Sequence, residues 1–238
     1  MILGILLGLL LGPVLNILID RLPSRLPLMA PPSCPTCDGI RQRRALLPVA
    51  GWLLARGRCE RCGAMLRQRA LVIELALPFA GGMLWLHDGG SPLFPLHLLL
   101  VAYFAAVVVI DLEHRLVLNR MTGPGVLAAL VIAGVGLGPS LPTAVLGAIV
   151  GLLLLGVPAL LLPGLGLGDI KLAAVIGALV GFPSVITALG LGILIGGAAA
   201  GLLLVTRRIG RRGTIAYAPY LIGGVALVFF GFVGHGAA

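Results

Sequence analysis

Thr143–Leu162 reads TAVLGAIVGLLLLGVPALLL, a stretch of twenty residues without a charge. About 20 apolar residues are what an α-helix needs to cross the hydrocarbon core of a bilayer. Seven more apolar runs surround it. Met1–Ile19 opens the chain, broken by Pro13 and Asn16, and the others cover about 70–86, 93–111, 124–138, 171–182, 184–206 and 215–234. The chain has 238 residues and a mean hydropathy of +1.14. Only 11% of its residues are charged, where a soluble domain carries about 25%, so lipid is its main solvent. The expected fold is an all-α polytopic membrane protein of about eight transmembrane helices. The 171–182 run is the weakest of the eight, because at about 1.5 Å per residue it cannot span roughly 30 Å unaided. It either starts earlier, at the glycine-rich turn before it, or sits in a protein-lined cavity. The 36 glycines suit helices whose backbones touch in lipid. The first run lacks a charged n-region and a small-residue cleavage site, and reads as retained.

The charges orient these helices. Residues 1–20 form the first span, 21–69 a polar insert, and 70–238 the remaining helical core. The insert holds ten arginines, from Arg21 to Arg69. Arg115, Arg120 and Lys171 follow in later gaps, then Arg207, Arg208, Arg211 and Arg212. Eight alternating crossings put all 17 basic residues on one side, in the insert and in loops 112–123, 163–171 and 207–214. The opposite loops contain His87, Asp88 and His235, and neither Lys nor Arg. Lys and Arg stay on the cytoplasmic side of a membrane, so the insert is expected inside and both termini outside. The same pattern argues against nucleic acid as a partner despite the net charge of +9, since aromatic residues are 5% and the basic ones only fill gaps between apolar runs.

Cys34-Pro-Thr-Cys37 and Cys59-Glu-Arg-Cys62 are two C-x2-C pairs within the insert. Such paired knuckles supply four thiolates for a tetrahedral structural zinc. A cytoplasmic insert is a poor place for disulfides, and with little core of its own it would draw its folding free energy from the metal. Cys34, Cys37, Cys59 and Cys62 are therefore expected to close a zinc-ribbon-like module with no open position for water. The alternative is a pair of redox or solvent-facing dithiols.

Carboxylates near hydrocarbon are expensive and point to function. Asp111 ends the run Val107–Ile110, and Asp169 closes Gly166-Leu167-Gly168. The expected topology sets both at one depth, at the cytoplasmic edge of the membrane. A two-aspartate protease needs that arrangement: an ionised carboxylate takes a proton from water while a protonated one donates to the peptide carbonyl. Gly166 and Gly168 would let a substrate backbone approach. Each aspartate also has a plain reading, Asp169 as a helix N-cap and Asp111 as the i,i+4 partner of Arg115. Glu113 reads as a solvated loop charge, and Glu74 as a structural group satisfying an arginine of the insert. Lys171 either biases Asp169 toward ionisation or anchors its helix to lipid phosphate. The four histidines show no ligand spacing.

Read together, these segments resemble the type IV prepilin peptidases, bifunctional bacterial leader peptidases and N-methyltransferases among the Gly-x-Gly-Asp membrane aspartic proteases. Leu15 to Pro23, with Asn16 near its start and ending Arg21-Leu22-Pro23, is similar to the family's first helix. The four-cysteine insert with Gly51-Trp52, the entry Leu71-Val72-Ile73-Glu74-Leu75, the segment Ile110-Asp111-Leu112-Glu113-His114-Arg115 and the signature Gly166-Leu167-Gly168-Asp169-Ile170-Lys171 follow in the family's order. Three places depart from it: Leu118 where Pro usually precedes Asn119, a more basic stretch from Ile40 to Ala50, and Tyr220 for the more usual Phe in Ala218-Pro219-Tyr220. The resemblance implies a bacterial inner-membrane enzyme that removes the short basic leader of prepilins or pseudopilins at the cytoplasmic face. It implies catalysis by Asp111 and Asp169 with no metal for the cut, and N-methylation with S-adenosylmethionine, whose binding residues the sequence does not identify. A transporter would place polar residues at the bilayer midplane and show an internal repeat, and neither is present. A non-catalytic zinc-ribbon scaffold would leave the shared depth of Asp111 and Asp169 unexplained.

Overall fold

The computed structural model describes residues 1–27, 33, 34, 36, 37, 39, 49–88, 90–161, 166–208 and 215–231. Arg41, Arg43, Arg44, Arg211, Arg212 and His235, all weighed above, lie outside the described residues, as does most of the Ile40–Ala50 stretch. The described elements are α1 (Ile2–Ser24), α2 (Ala50–Leu54), α3 (Gln68–Asp88), α4 (Phe94–His114), α5 (Asn119–Gly134), α6 (Leu141–Leu161), α7 (Leu167–Val180), α8 (Ser184–Val205) and α9 (Ala218–Phe229). There is no strand among the described residues, and Arg58 and Met65 form an isolated bridge. The all-helical class stands. Among the described residues, five helices are long and apolar enough to cross a membrane: α1, α3, α4, α6 and α8. The other three predicted crossings correspond to α5, α7 and α9, which are shorter.

The chain divides into two units, Met1–Ala106 and Val107–Ala238, with the division inside α4. In the first unit α1 packs along α3. Gly4, Gly8, Gly12 and Asn16 recur every four residues, so they share one helix face, and all four are buried. A Cβ at Gly8 would run into the backbone of Leu77 and Pro78, and one at Gly12 would come to 3.1 Å from Glu74 Cα. Only hydrogen fits there, which is how small residues let helices touch where no hydrophobic force drives them together. Gly8→Val should therefore lower thermal stability in detergent by at least about 1–3 kcal/mol, since the obstacle is backbone and cannot rotate away. Gly190→Ala on α8, with nothing within 4 Å of the added carbon, serves as the neutral control.

Asn16 continues the glycine face with a polar group, and lipid offers it no partner. Its Nδ2 donates to Ala70 O at 3.0 Å and to Glu74 Oε1 at 3.2 Å, while Glu74 Oε2 accepts the Val49 amide at 2.7 Å. Glu74 is thus structural, but its partners among the described residues are Asn16 and a backbone amide. Two arginines of the insert, Arg69 and Arg67, instead pair with Asp20 at the end of α1. At the other end of the unit, Leu84, Phe94 and Leu98 form a core with Leu7, Leu11 and Trp85, the Trp85 and Phe94 rings meeting edge to face at 5.1 Å. In the turn beside it, His87 and His97 both place Nδ1 on Asp88, at 3.1 and 2.9 Å.

In the second unit α7 packs against α6, α5, α8 and α9. Every residue from Leu172 to Ala178 is buried, so these two turns are enclosed on all sides. That explains its length. At about 1.5 Å per residue its 14 residues reach roughly 21 Å, and protein rather than hydrocarbon surrounds the stretch Leu172–Ala178. It starts at Leu167, at the glycine-rich turn. Close backbone contacts again depend on glycine: Gly147 of α6 lies on Gly177 of α7, and Gly224 of α9 on Ala188 of α8. α5 begins five residues earlier than its apolar run and stops at Gly134, just before Gly136 takes φ +76°.

Candidate functional site

Asp111 lies in the last turn of α4, whose end is marked by Arg115 at φ +53°. Its carboxyl is buried, with the residue only 4% exposed. Such a group must find a hydrogen-bond partner. It does so at the start of α9, where the first amides of a helix have no partner of their own: Ala218 N donates to Asp111 Oδ2 at 2.9 Å, and the Tyr217 backbone adds a second hydrogen bond. Pro219 at the helix start needs no such acceptor, and its ring presets the helical φ. The carboxyl partner of Asp111 is therefore a helix N-terminus 107 residues away, rather than Arg115.

Asp169 sits in the first turn of α7, after the extended Gly166. Its carboxyl accepts a hydrogen bond from the Gly166 backbone. The N-cap position itself belongs to Gly166, and Asp169 is the third residue of the helix, so the plain reading of Asp169 as the N-cap does not hold. Two glycines make the room. A Cβ at Gly166 would come to 3.0 Å from Asp169 Oδ2, and one at Gly168 to 2.7 Å from the Val117 Cβ. Gly168 thus lets the start of α7 close on the connection from α4 to α5, and the two aspartates share one locality. The charge of Asp111 reaches Asp169, and that of Asp169 reaches the Tyr217 phenol.

Lys171, one turn into α7, makes its hydrogen bond away from Asp169. Its Nζ donates to Asn119 Oδ1 at 2.7 Å and ties α7 to the first residue of α5. Next to this link, Thr122 and Val126 of α5, Ile149 and Leu152 of α6, and Lys171 and Ala174 of α7 line an apolar groove of about 300 Å³. Sequence reasoning missed Asn119, Tyr217 and the Ala218 amide. Ala-Pro at 218–219 was the available signal for the last two, since Pro marks a helix start.

The four cysteines of the first unit converge. Cys34, Cys37, Cys59 and Cys62 have all their sulfurs within 4.8 Å of one another. Cys34 and Cys62 stand 3.8 Å apart, and Cys37 and Cys59 4.0 Å. A disulfide would need about 2.05 Å. Four sulfurs at about 2.3 Å from one zinc stand roughly 3.8 Å apart on a tetrahedron, so the residues fit that ion. Each pair folds as a tight turn: the Cys34 amide donates to Gly39 O, the Cys59 amide to Ala64 O, and Gly63 takes φ +71°. The amides of Thr36 and Cys37, aimed at the Cys34 sulfur, bring that thiol down to about 6, which favours the thiolate a metal requires.

A profile described as the type IV leader peptidase family matches residues 98–202, and one described as the bacterial Peptidase A24 N-terminal domain matches residues 6–87. The chain is 34% identical over 122 residues to a prepilin leader peptidase/N-methyltransferase of Stutzerimonas stutzeri, an alignment covering 51% of this chain and 42% of the relative. Proteins of the same name from Dichelobacter nodosus and Pseudomonas aeruginosa are 31% and 30% identical, over 51% and 52% of this chain and 43% and 42% of theirs. The chain thus spans less than half the length of the curated relatives it matches. No solved structure matches it. The two profiles cover the cysteine cluster and both aspartates, and on that ground the chain belongs to the type IV leader peptidase family.

Proposed function

We propose that this protein is a membrane aspartic endopeptidase that removes the short basic leader of type IV prepilins or pseudopilins, with Asp111 and Asp169 as the catalytic pair. The observation that carries the reading is their shared locality, each held by backbone amides at a helix end, with glycine at 166 and 168 leaving space in front of Asp169. In the reaction, water oxygen bonds to the scissile carbonyl carbon while its proton passes to the ionised carboxylate. The protonated carboxyl gives its proton to the carbonyl oxygen. Collapse of the gem-diol breaks the C–N bond as the nitrogen takes a proton, and the pair is reset. No metal is required for this cut.

The basic residues favour an orientation with the insert and both aspartates at the cytoplasmic face of a bacterial inner membrane, eight crossings in all and both termini outside. A substrate helix lying in the bilayer would present its cleavage site at that depth, and the apolar groove beside Lys171 offers its hydrophobic part a surface. Cys34, Cys37, Cys59 and Cys62 would hold a structural zinc that folds the insert. The names of the relatives extend the reading to N-methylation of the new N-terminus with S-adenosylmethionine, to which no residue here is assigned. The test is reconstitution of the purified protein in lipid vesicles with a purified prepilin, followed by mass spectrometry of the product. Loss of the leader supports the peptidase, and a further gain of one methyl group when S-adenosylmethionine is added supports the second activity. An uncut precursor would count against both.

A further inference from the structure

Tyr217 stands where the supports of the two aspartates meet. Its backbone is the second hydrogen-bonding group on Asp111, beside the Ala218 amide at 2.9 Å. Its half-buried ring is fixed on two sides. Against α8 it lies so close to Gly196 that a Cβ there would come to 2.7 Å from Tyr217 Cε2 and 3.2 Å from the hydroxyl oxygen. On the other side Tyr220 meets it edge to face, with ring centroids 6.2 Å apart. α9, which Tyr217 precedes, packs on α7, the helix of Asp169, and the charge of Asp169 reaches the phenol. The hydroxyl nevertheless has no hydrogen-bond partner among the described residues. A phenol held by packing on two sides, with no hydrogen-bond partner among the described residues and within reach of the Asp169 charge, is a preorganised donor.

We infer that Tyr217 is a third catalytic residue, donating a hydrogen bond from its hydroxyl to the scissile carbonyl oxygen as negative charge develops there. The inference rests on the peptidase reading above. The carbonyl oxygen has two lone pairs, one for the proton delivered by the protonated aspartate and one for the phenol. Tyr217 keeps its own proton throughout, so the atom balance of the hydrolysis is unchanged. A donor aimed at the transition-state oxygen raises kcat and leaves substrate binding almost untouched.

The test compares wild type, Tyr217→Phe, Tyr217→Ala and Asp169→Asn in lipid vesicles with a purified prepilin, reading kcat, KM and thermal stability. Tyr217→Phe keeps the ring against Gly196 and removes only the donor. It is expected to lower kcat by about 10²-fold, as loss of one oxyanion donor does, with KM and melting temperature unchanged. Tyr217→Ala also loses the packing and should melt earlier. The inference is overturned if Tyr217→Phe cuts at the wild-type rate, if its loss lies wholly in KM, or if it melts as early as Tyr217→Ala. Asp169→Asn separates the two claims. If it is inactive while Tyr217→Phe is normal, only the role of Tyr217 fails; if it cuts normally, the peptidase reading fails with it.

Discussion

Asp111→Asn and Asp169→Asn are each expected to slow leader removal by about 10³-fold, within the 10²–10⁴-fold range of general acid–base catalysis. Asparagine matches the shape of the carboxyl and can still accept the Ala218 amide at position 111 or the Gly166 backbone hydrogen bond at position 169. The local fold is therefore kept, and what disappears is the ability to take up or deliver a proton. Both variants should accumulate and melt like the wild type. This separates a catalytic role from the plain readings. A helix cap replaced by asparagine is hardly changed, since Asn and Asp rank together at that position, and an interfacial charge could be removed without touching turnover.

Cys34→Ser and Cys37→Ser are both expected to abolish zinc binding, taking the protein from roughly one ion per chain to none, as read by metal analysis of the purified protein. Structural zinc contributes about 10–16 kcal/mol of apparent binding free energy in small zinc-finger peptides, nearly all of it coupled to folding. The segment around α2 and the cysteine turns should then become sensitive to limited proteolysis. The contrast within the pair is informative. Cys34 is 1% exposed, whereas Cys37 is exposed. If the cysteines served only as packing, Cys34→Ser would destabilise the insert and Cys37→Ser would not. A tetrahedral site needs both.

Side-chain chemistry that costs free energy in lipid was legible in the sequence. Asp111 after four apolar residues, Asp169 after Gly168, and the paired cysteines all stand out because hydrocarbon or a small unsupported insert offers no cheap reason for them. Partners supplied by the backbone were not legible. The Ala218 amide on Asp111 and the Val49 amide on Glu74 carry no side-chain signature, and both join positions far apart in the chain. Spacing likewise concealed the pairing of His87 and His97 with Asp88, because a turn between two helices brings residues together without a period. Lys171 was open to two readings from sequence, and neither included Asn119, whose position at the start of α5 depends on that helix beginning before its apolar run. The length of α7 was the clearest tertiary effect. A short apolar run looks inadequate when hydrocarbon is assumed to surround it, and ordinary once neighbouring helices do.

The central claim is that Asp111 and Asp169 act as one unit. A double-mutant cycle on leader removal tests this most directly, comparing wild type, Asp111→Asn, Asp169→Asn and the double variant at matched protein levels in lipid vesicles. Residues of one catalytic unit are strongly non-additive, so the double variant should be no slower than either single one, and all three should sit near the same residual rate. If the two losses add, or if either single variant cuts at the wild-type rate, the aspartates do not share one reaction and the account is contradicted.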